Sequence, residues 1–289
     1  MVDLLLDAGA LLGESPRWSV QDQRLYWVDI EGRKIHRTDP ATGADAVMEL
    51  DEQIGCIAPR ASGGLVAALE DGCALIEAWG AAPRPFGPAV LAAKPAQRFN
   101  DGCVDPAGRL WVGSLTRDKA KPQAALYRLD PDGSLTEMIG GLTTSNGAAF
   151  SPDGRIFYHA DTPTHAVRAY DVDAATGTLT NSRLFHQFEL GRGRPDGAAV
   201  DAEGCYWSAL WEGWRIVRLS PAGELLQTVD LPVRRPTMIA FGGEDLKTAF
   251  VTSAGKDLTE TERAVQPHAG GLFTFRVDVP GLAQPAFGG

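Results

Sequence analysis

The stretch that decides the fold is RFNDGCVDPAGRLWVG, residues 98–113. Asn100, Asp101 and Gly102 stand just ahead of an aromatic and β-branched run. Gly108 lies eight residues after Asn100 and Trp111 eleven after it. Asn and Asp bond their own backbone and Gly accepts positive φ, so the three residues suit a turn. A turn alone would explain them unless the spacing recurs.

It recurs. Asn146, in SNGAAFSPDGRIFY, is followed by Gly154 and Phe157 at the same offsets. Asp196, in PDGAAVDAEGCYW, is followed by Gly204 and Trp207. Val104, Phe150 and Val200 fill the fourth position after each, and Asp105, Ser151 and Asp201 the fifth. Weaker copies begin at Cys56, with Gly64 and Ala67 in register, and at Glu14 and Thr237, both with longer turns. Six units therefore start at positions 14, 56, 100, 146, 196 and 237, at intervals of 41 to 50 residues.

A period of that length marks a repeat architecture. Segments such as GRLWVGSL, GRIFYHA and RLYWVDI are short, aromatic and β-branched, bounded by Gly, Pro and Asp, and read as strands. No amphipathic pattern of helical length interrupts them, so a TIM barrel lacks its eight helices. Four strands in each of six units predict an all-β, six-bladed propeller, one domain over residues 1–289, whose sheet edges are shielded by radial repetition. LLLDAG (4–9) is expected to close the ring as an outer strand beside GGLFTFRVDV (270–279).

Of the 289 residues, 44% are hydrophobic and 22% charged, ordinary for a soluble globular protein. A net charge of −10 argues against nucleic acid or an anionic membrane as partner, because phosphate binding needs clustered Lys and Arg. No segment approaches the ~20 apolar residues of a membrane span. Cys56, Cys73, Cys103 and Cys205 form no CxxC pair and are expected to be buried free thiols of a reducing compartment. The N-terminal MVDLLLDAGA lacks a basic region before its short apolar run, so a cytoplasmic location is expected. The oligomer is expected to be a monomer or weak homodimer.

In a propeller the first strand of each blade lines the central channel. The six unit-starting residues, Glu14, Cys56, Asn100, Asn146, Asp196 and Thr237, should then ring one mouth. Two carboxylates in a narrow channel repel each other and lose hydration, and a divalent cation cancels both charges. Carboxylate and carboxamide oxygens suit a hard cation. Ligand type alone does not separate Ca, Zn, Mg, Mn and Fe. The histidines, His36, His159, His165, His186 and His268, form no HxH or HExxH pair. Neither a GxSxG elbow nor a phosphate-cradling glycine loop is present, which argues against a serine hydrolase or an NTPase.

LGESPRW, YWVDIEGRKIHR, RFNDGCVDPAGRLWVG, SNGAAFSPDGRIFYHADT and PDGAAVDAEGCYWSALW occur in that order. Together they resemble the senescence-marker/gluconolactonase/luciferin-regenerating family, the regucalcin-like lactonases, over nearly the whole chain. The resemblance implies a six-bladed propeller with one divalent metal at the channel mouth, and hydrolysis of sugar lactones to aldonic acids. It implies Glu14, Asn146 and Asp196 as metal ligands, with Arg98 and Asn100 on the substrate side. The expected reaction uses the metal to polarise the lactone carbonyl and activate water, with Asp196 or its water delivering the nucleophile. The expected substrate is a small aldonolactone such as glucono-, xylono-, arabino- or galactono-lactone.

The loop at 116–124 departs from the family pattern. With Arg117, Asp118, Lys119 and Lys121 it is either a solvated basic loop or a lid over the substrate. Two further readings stay open. One is a phosphotriesterase-type hydrolase on the same scaffold with an apolar pocket, Trp211 and Trp214 suiting either ligand because sugars also stack on aromatics. The other is a non-enzymatic calcium-binding regulator.

Overall fold

A computed structural model describes residues 1–118 and 121–289. Among these residues the repeat units form six four-stranded antiparallel sheets, the blades of a propeller. Each unit supplies one blade from the channel outward. Blade 1 is Gly13–Ser19, Arg24–Asp29, Lys34–Thr38 and Asp45–Glu49. The inner strands of blades 2 to 6 are Ile54–Pro59, Gln97–Val104, Ser145–Phe150, Arg194–Val200 and Pro236–Gly242. Each inner strand touches the inner strands of both neighbouring blades, which closes the ring. Inner strands are buried almost throughout, whereas outer strands such as Leu225–Asp230 face solvent.

Closure follows the sequence expectation. Asp3–Leu6 is the outermost strand of blade 6, antiparallel to Leu272–Arg276, with Asp3 opposite Thr274 and Leu4 opposite Phe273. Both ends of the ring therefore share one sheet, and opening it requires breaking a strand pair.

The fifth and eleventh positions of the repeat are structural. Asp105 Oδ1 accepts the backbone N–H groups of Ala107 and Arg109, and its Oδ2 accepts the indole N–H of Trp111 at 2.9 Å. Asp201 does the same with Glu203, Cys205 and Trp207. One carboxylate thus ties a turn and satisfies a buried indole. Blade 4 has Phe157 instead of an indole, and Ser151 Oγ there accepts the N–H of Ile156.

The unit-starting positions are different. Every inner ladder breaks register there, between Glu14 and Arg17, Phe99 and Gly102, Asn146 and Ala149, and Pro195 and Ala198 among others. Bulges re-aim side chains, here at the mouth of the channel. Gly147 shows why glycine follows Asn146. Its φ is +62°, and a Cβ would lie 2.4 Å from Tyr206 Oη, which donates to its carbonyl at 2.9 Å.

The C-terminal tail was not foreseen. After blade 6 it crosses the opposite end of the channel. Ala202 N–H donates to Pro280 O on blade 5, and Phe287 exchanges backbone bonds with Pro59 and Ala61 on blade 2. Phe287 is fully buried between blades 2 and 3 with Phe99, Val112 and Tyr127. Arg60 Nε donates to Gly289 O at 2.9 Å.

Candidate active site

Glu14, Arg98, Asn100, Asn146 and Asp196 line one cavity of about 220 Å³ at the bulged ends of the inner strands. Four of the six unit-starting residues thus meet as expected, and two do not. The Thr237 hydroxyl is used on Gly13 O at 2.5 Å and beside Thr252. Cys56 is fully buried in the core with Ala58, Val66 and Phe99. A larger cavity of about 300 Å³ lies at the other end of the channel, lined by Arg17, Val104, Val200, Phe241 and the tail residue Leu282. Among the described residues it gathers no carboxylate and one carboxamide, Gln284, whereas the acids and the repeat-starting amides meet in the smaller cavity.

One hydrogen-bond chain links three blades through this site. Arg98 Nη1 donates to Asn100 Oδ1 at 2.9 Å. Asn100 Nδ2 donates to Asn146 Oδ1 at 2.6 Å and to Ser145 O at 3.0 Å. Asn146 Nδ2 donates to Thr162 Oγ1 at 2.7 Å. Thr162 Oγ1 donates to Pro195 O at 2.8 Å, next to Asp196. Asn100 is therefore the strap between Arg98 and Asn146.

Burial sets the electrostatics. Glu14, Asp196 and Arg98 are 4%, 5% and 6% exposed. Burial, then the charges of Asp196 and Asp101, push the Glu14 carboxyl well above the usual range, against the Ser15 N–H and Arg17. Burial raises Asp101 to about 6, although Arg17 and the Ala148 N–H favour its charged form. Burial lowers the Arg98 guanidinium to about 10. Arg98 Nη1 is held by Phe99 O and Asn100, and the charges of Glu31, Glu14 and Glu70 favour its charged form against burial.

The other cations in the wall each have a glutamate. Arg117 bonds Glu70 and Gln53, Lys256 pairs with Glu31, and Arg194 pairs with Glu212 at 2.7 Å. Arg117 thus brings its part of the 116–124 loop to the cavity, Lys121 is exposed, and Lys119 lies outside the described residues. Trp211 lines the cavity with Arg235 5.1 Å from its ring, whereas Trp214 is not in the wall. Neither is any histidine. His159, lowered to about 4 by burial, bonds Ser145 Oγ, and His165 ends the 3-10 turn Thr162–Thr164.

Sequence reasoning missed Thr162, Asp101 and Arg17. Thr162 lies inside HADT, but its partners are 16 and 33 residues away and carry no local signal.

Among the described residues, no group of three or more His, Cys, Asp or Glu side chains is placed to hold a metal. The cavity wall offers two buried carboxylates, Glu14 and Asp196, and the carboxamide of Asn146. The mutual charge of the acids disfavours ionisation of Glu14, and a divalent cation would reverse that effect. The donor chemistry fits a hard cation completed by water.

Fold and site define a propeller with a polar, acid- and amide-lined pocket at one mouth of its channel. The chain belongs to the family described as SMP-30/Gluconolactonase/LRE-like region, whose model matches residues 12–255. It is 44% identical over 281 residues to a 6-deoxy-6-sulfogluconolactonase of Pseudomonas putida, covering 97% of this chain and 96% of the relative. It is 40% identical to regucalcin of Danio rerio, covering 91% and 89%. Among solved structures, a regucalcin from Agrobacterium tumefaciens described as a calcium-binding protein superposes with a TM-score of 0.94 at 27% identity, covering 98% and 96%.

Proposed function

We propose that this protein hydrolyses a sugar lactone to the open aldonic acid, with one divalent cation held by Glu14, Asn146 and Asp196. The observation that carries the reading is the convergence of two buried acids, a carboxamide and a buried arginine on one small polar cavity. Membership of the gluconolactonase-like family and the name of the P. putida relative support it.

When bound, the cation would supply Lewis-acid polarisation of the ring carbonyl and a lower pKa for water. Asp196 accepts the proton of the attacking water. Water oxygen bonds the carbonyl carbon, the ring C–O bond breaks, and the ring oxygen leaves as a hydroxyl by taking the proton that Asp196 accepted. Arg98, pinned through Asn100, directs its remaining N–H groups at substrate oxygens and at charge developing on the carbonyl.

Arg98 also bears on which lactone. Burial lowers the Arg98 guanidinium although Glu31, Glu14 and Glu70 favour its charge, so a bound anion would stabilise it further. Arg98, Arg117, Arg194 and Lys256 line the cavity against Glu14, Glu31 and Asp196, in a chain of net charge −10. This favours an aldonolactone with an anionic group remote from its carbonyl, in line with the sulfonated substrate for which the P. putida relative is named. The polar wall disfavours a neutral phosphotriester.

The test strips the protein with chelator and restores Ca, Zn, Mg, Mn or Fe singly. Opening of glucono-, xylono-, arabino- and galactono-lactone and a 6-sulfonated gluconolactone is then followed by acid release above the spontaneous rate. Metal-restored opening, fastest on the sulfonate, is the expected result. No opening of any lactone overturns the reading, and cation binding without opening would favour a calcium-binding regulator.

A further inference from the structure

We infer that Thr162 is a positioning residue that sets the amide orientation of Asn146, and through Asn100 the pose of Arg98. The inference rests on the proposed role of Asn146 toward a cation. It follows from which atoms can donate. Pro195 O can only accept, so the Thr162 hydroxyl proton is committed to it at 2.8 Å. Thr162 Oγ1 must then accept from Asn146 at 2.7 Å, which places Nδ2 on that side and Oδ1 on the other. Asn100 Nδ2 meets Oδ1 at 2.6 Å and is itself pinned by Ser145 O, again an atom that only accepts. Its own Oδ1 is left to receive Arg98. Thr162 thus fixes Asn146 from one end of the chain, while Ser145 O and Arg98, which only donates, fix Asn100 from the other.

The placement suits this role. Thr162 is 8% exposed, follows the second strand of blade 4, and reaches across to the residue before Asp196. One hydroxyl therefore ties a carboxamide of blade 4 to the backbone beside a carboxylate of blade 5. Valine at 162 keeps the shape and removes both bonds. Asn146 then loses the partner that defines its nitrogen side, and an amide turned over presents N–H groups, which repel a cation, where Oδ1 stood.

The experiment compares Thr162→Val, Thr162→Ser and wild type after chelation. Affinity for each divalent metal alone is measured by calorimetry, and the melting temperature of the metal-free proteins is recorded beside it. Thr162→Val should bind the preferred metal about 10–100-fold more weakly, the usual scale for losing a partner behind a metal ligand. Thr162→Ser should stay near wild type. In an Asn146→Asp background the side chain carries oxygen on both sides, so the further effect of Thr162→Val on affinity should vanish. A lower melting temperature for Thr162→Val with unchanged metal affinity would reduce the residue to a structural tie and overturn the inference.

If wild type binds no divalent metal, the cation reading fails and the Asn146–metal step fails with it. The relay is then read at Arg98, through affinity for the aldonic acid product. Weakening by Thr162→Val and retention by Thr162→Ser would uphold its control of Arg98, and equal affinities would overturn that too.

Discussion

Asn100 Nδ2 lies 2.6 Å from Asn146 Oδ1, joining residues 46 positions apart on the inner strands of blades 3 and 4. Both begin repeat units, and the bulge at each turns its side chain to the same mouth. The contact links the arginine expected to hold substrate to an amide expected to hold the cation. The contact couples the two, and removal of Arg98 itself, at the end of the chain, should be the change that leaves the cation ligands in place.

Asp196→Ala should abolish divalent-cation binding and lower lactone turnover on the order of 10²–10⁴-fold, the scale of a lost general base. Calorimetry with single metals and an acid-release assay measure both. Near-normal turnover in this variant would contradict the assignment.

Arg98→Ala should keep the cation and lose substrate handling. Turnover is expected to fall about 10²–10³-fold, as for one lost oxyanion donor. Discrimination in favour of the sulfonated lactone should fall with it. Loss of metal affinity would show that Arg98 supports the ligand set instead.

Asp101 titrates near 6 in the folded protein, above its ordinary value of 3.8. The native state therefore holds a proton that the unfolded chain has released between those values. Stability from this group is full below about 4 and is lost as pH rises through about 6, by roughly 3 kcal/mol at most. Denaturant unfolding of metal-free protein from pH 4 to 7 should show this decline relative to Asp101→Asn. A difference between the two that does not change with pH would refute it.

Phe287→Ala should cost about 3–5 kcal/mol, because the ring is fully buried between blades 2 and 3 and stacks edge-on against Phe86 at 5.9 Å. The tail lies at the end of the channel opposite the site, so turnover below the melting temperature should change little. Thermal unfolding and the lactone assay together test that separation.

Gly147→Ala should be disruptive out of proportion to one methyl group. The backbone is left-handed there, and the new Cβ would meet the Tyr206 hydroxyl. A drop of several degrees in melting temperature, with weaker metal binding from a shifted Asn146, is expected. An unchanged crystal structure and affinity would contradict the account.

The number of blades, the start of each inner strand to within three residues and the closure by the first strand were legible in the repeat. A repeat writes its period, turn residues and strand alternation locally, and all of these survive in one dimension. Asp105 and Trp111 were legible as a spacing, and their bond explains why that spacing recurs. Which unit-starting residues share the cavity is set by packing between blades. Cys56 and Thr237 occupy the same place in the pattern as Asn146, yet one packs into the core and the other is spent on the carbonyl of Gly13. Thr162, Asp101 and Arg17 lie inside quoted motifs that are silent on their partners, and the tail around Phe287 lies in none. Their roles come from burial and from partners on other blades, and a bulge of one residue chooses where a side chain points. Those quantities exist only after the ring has closed.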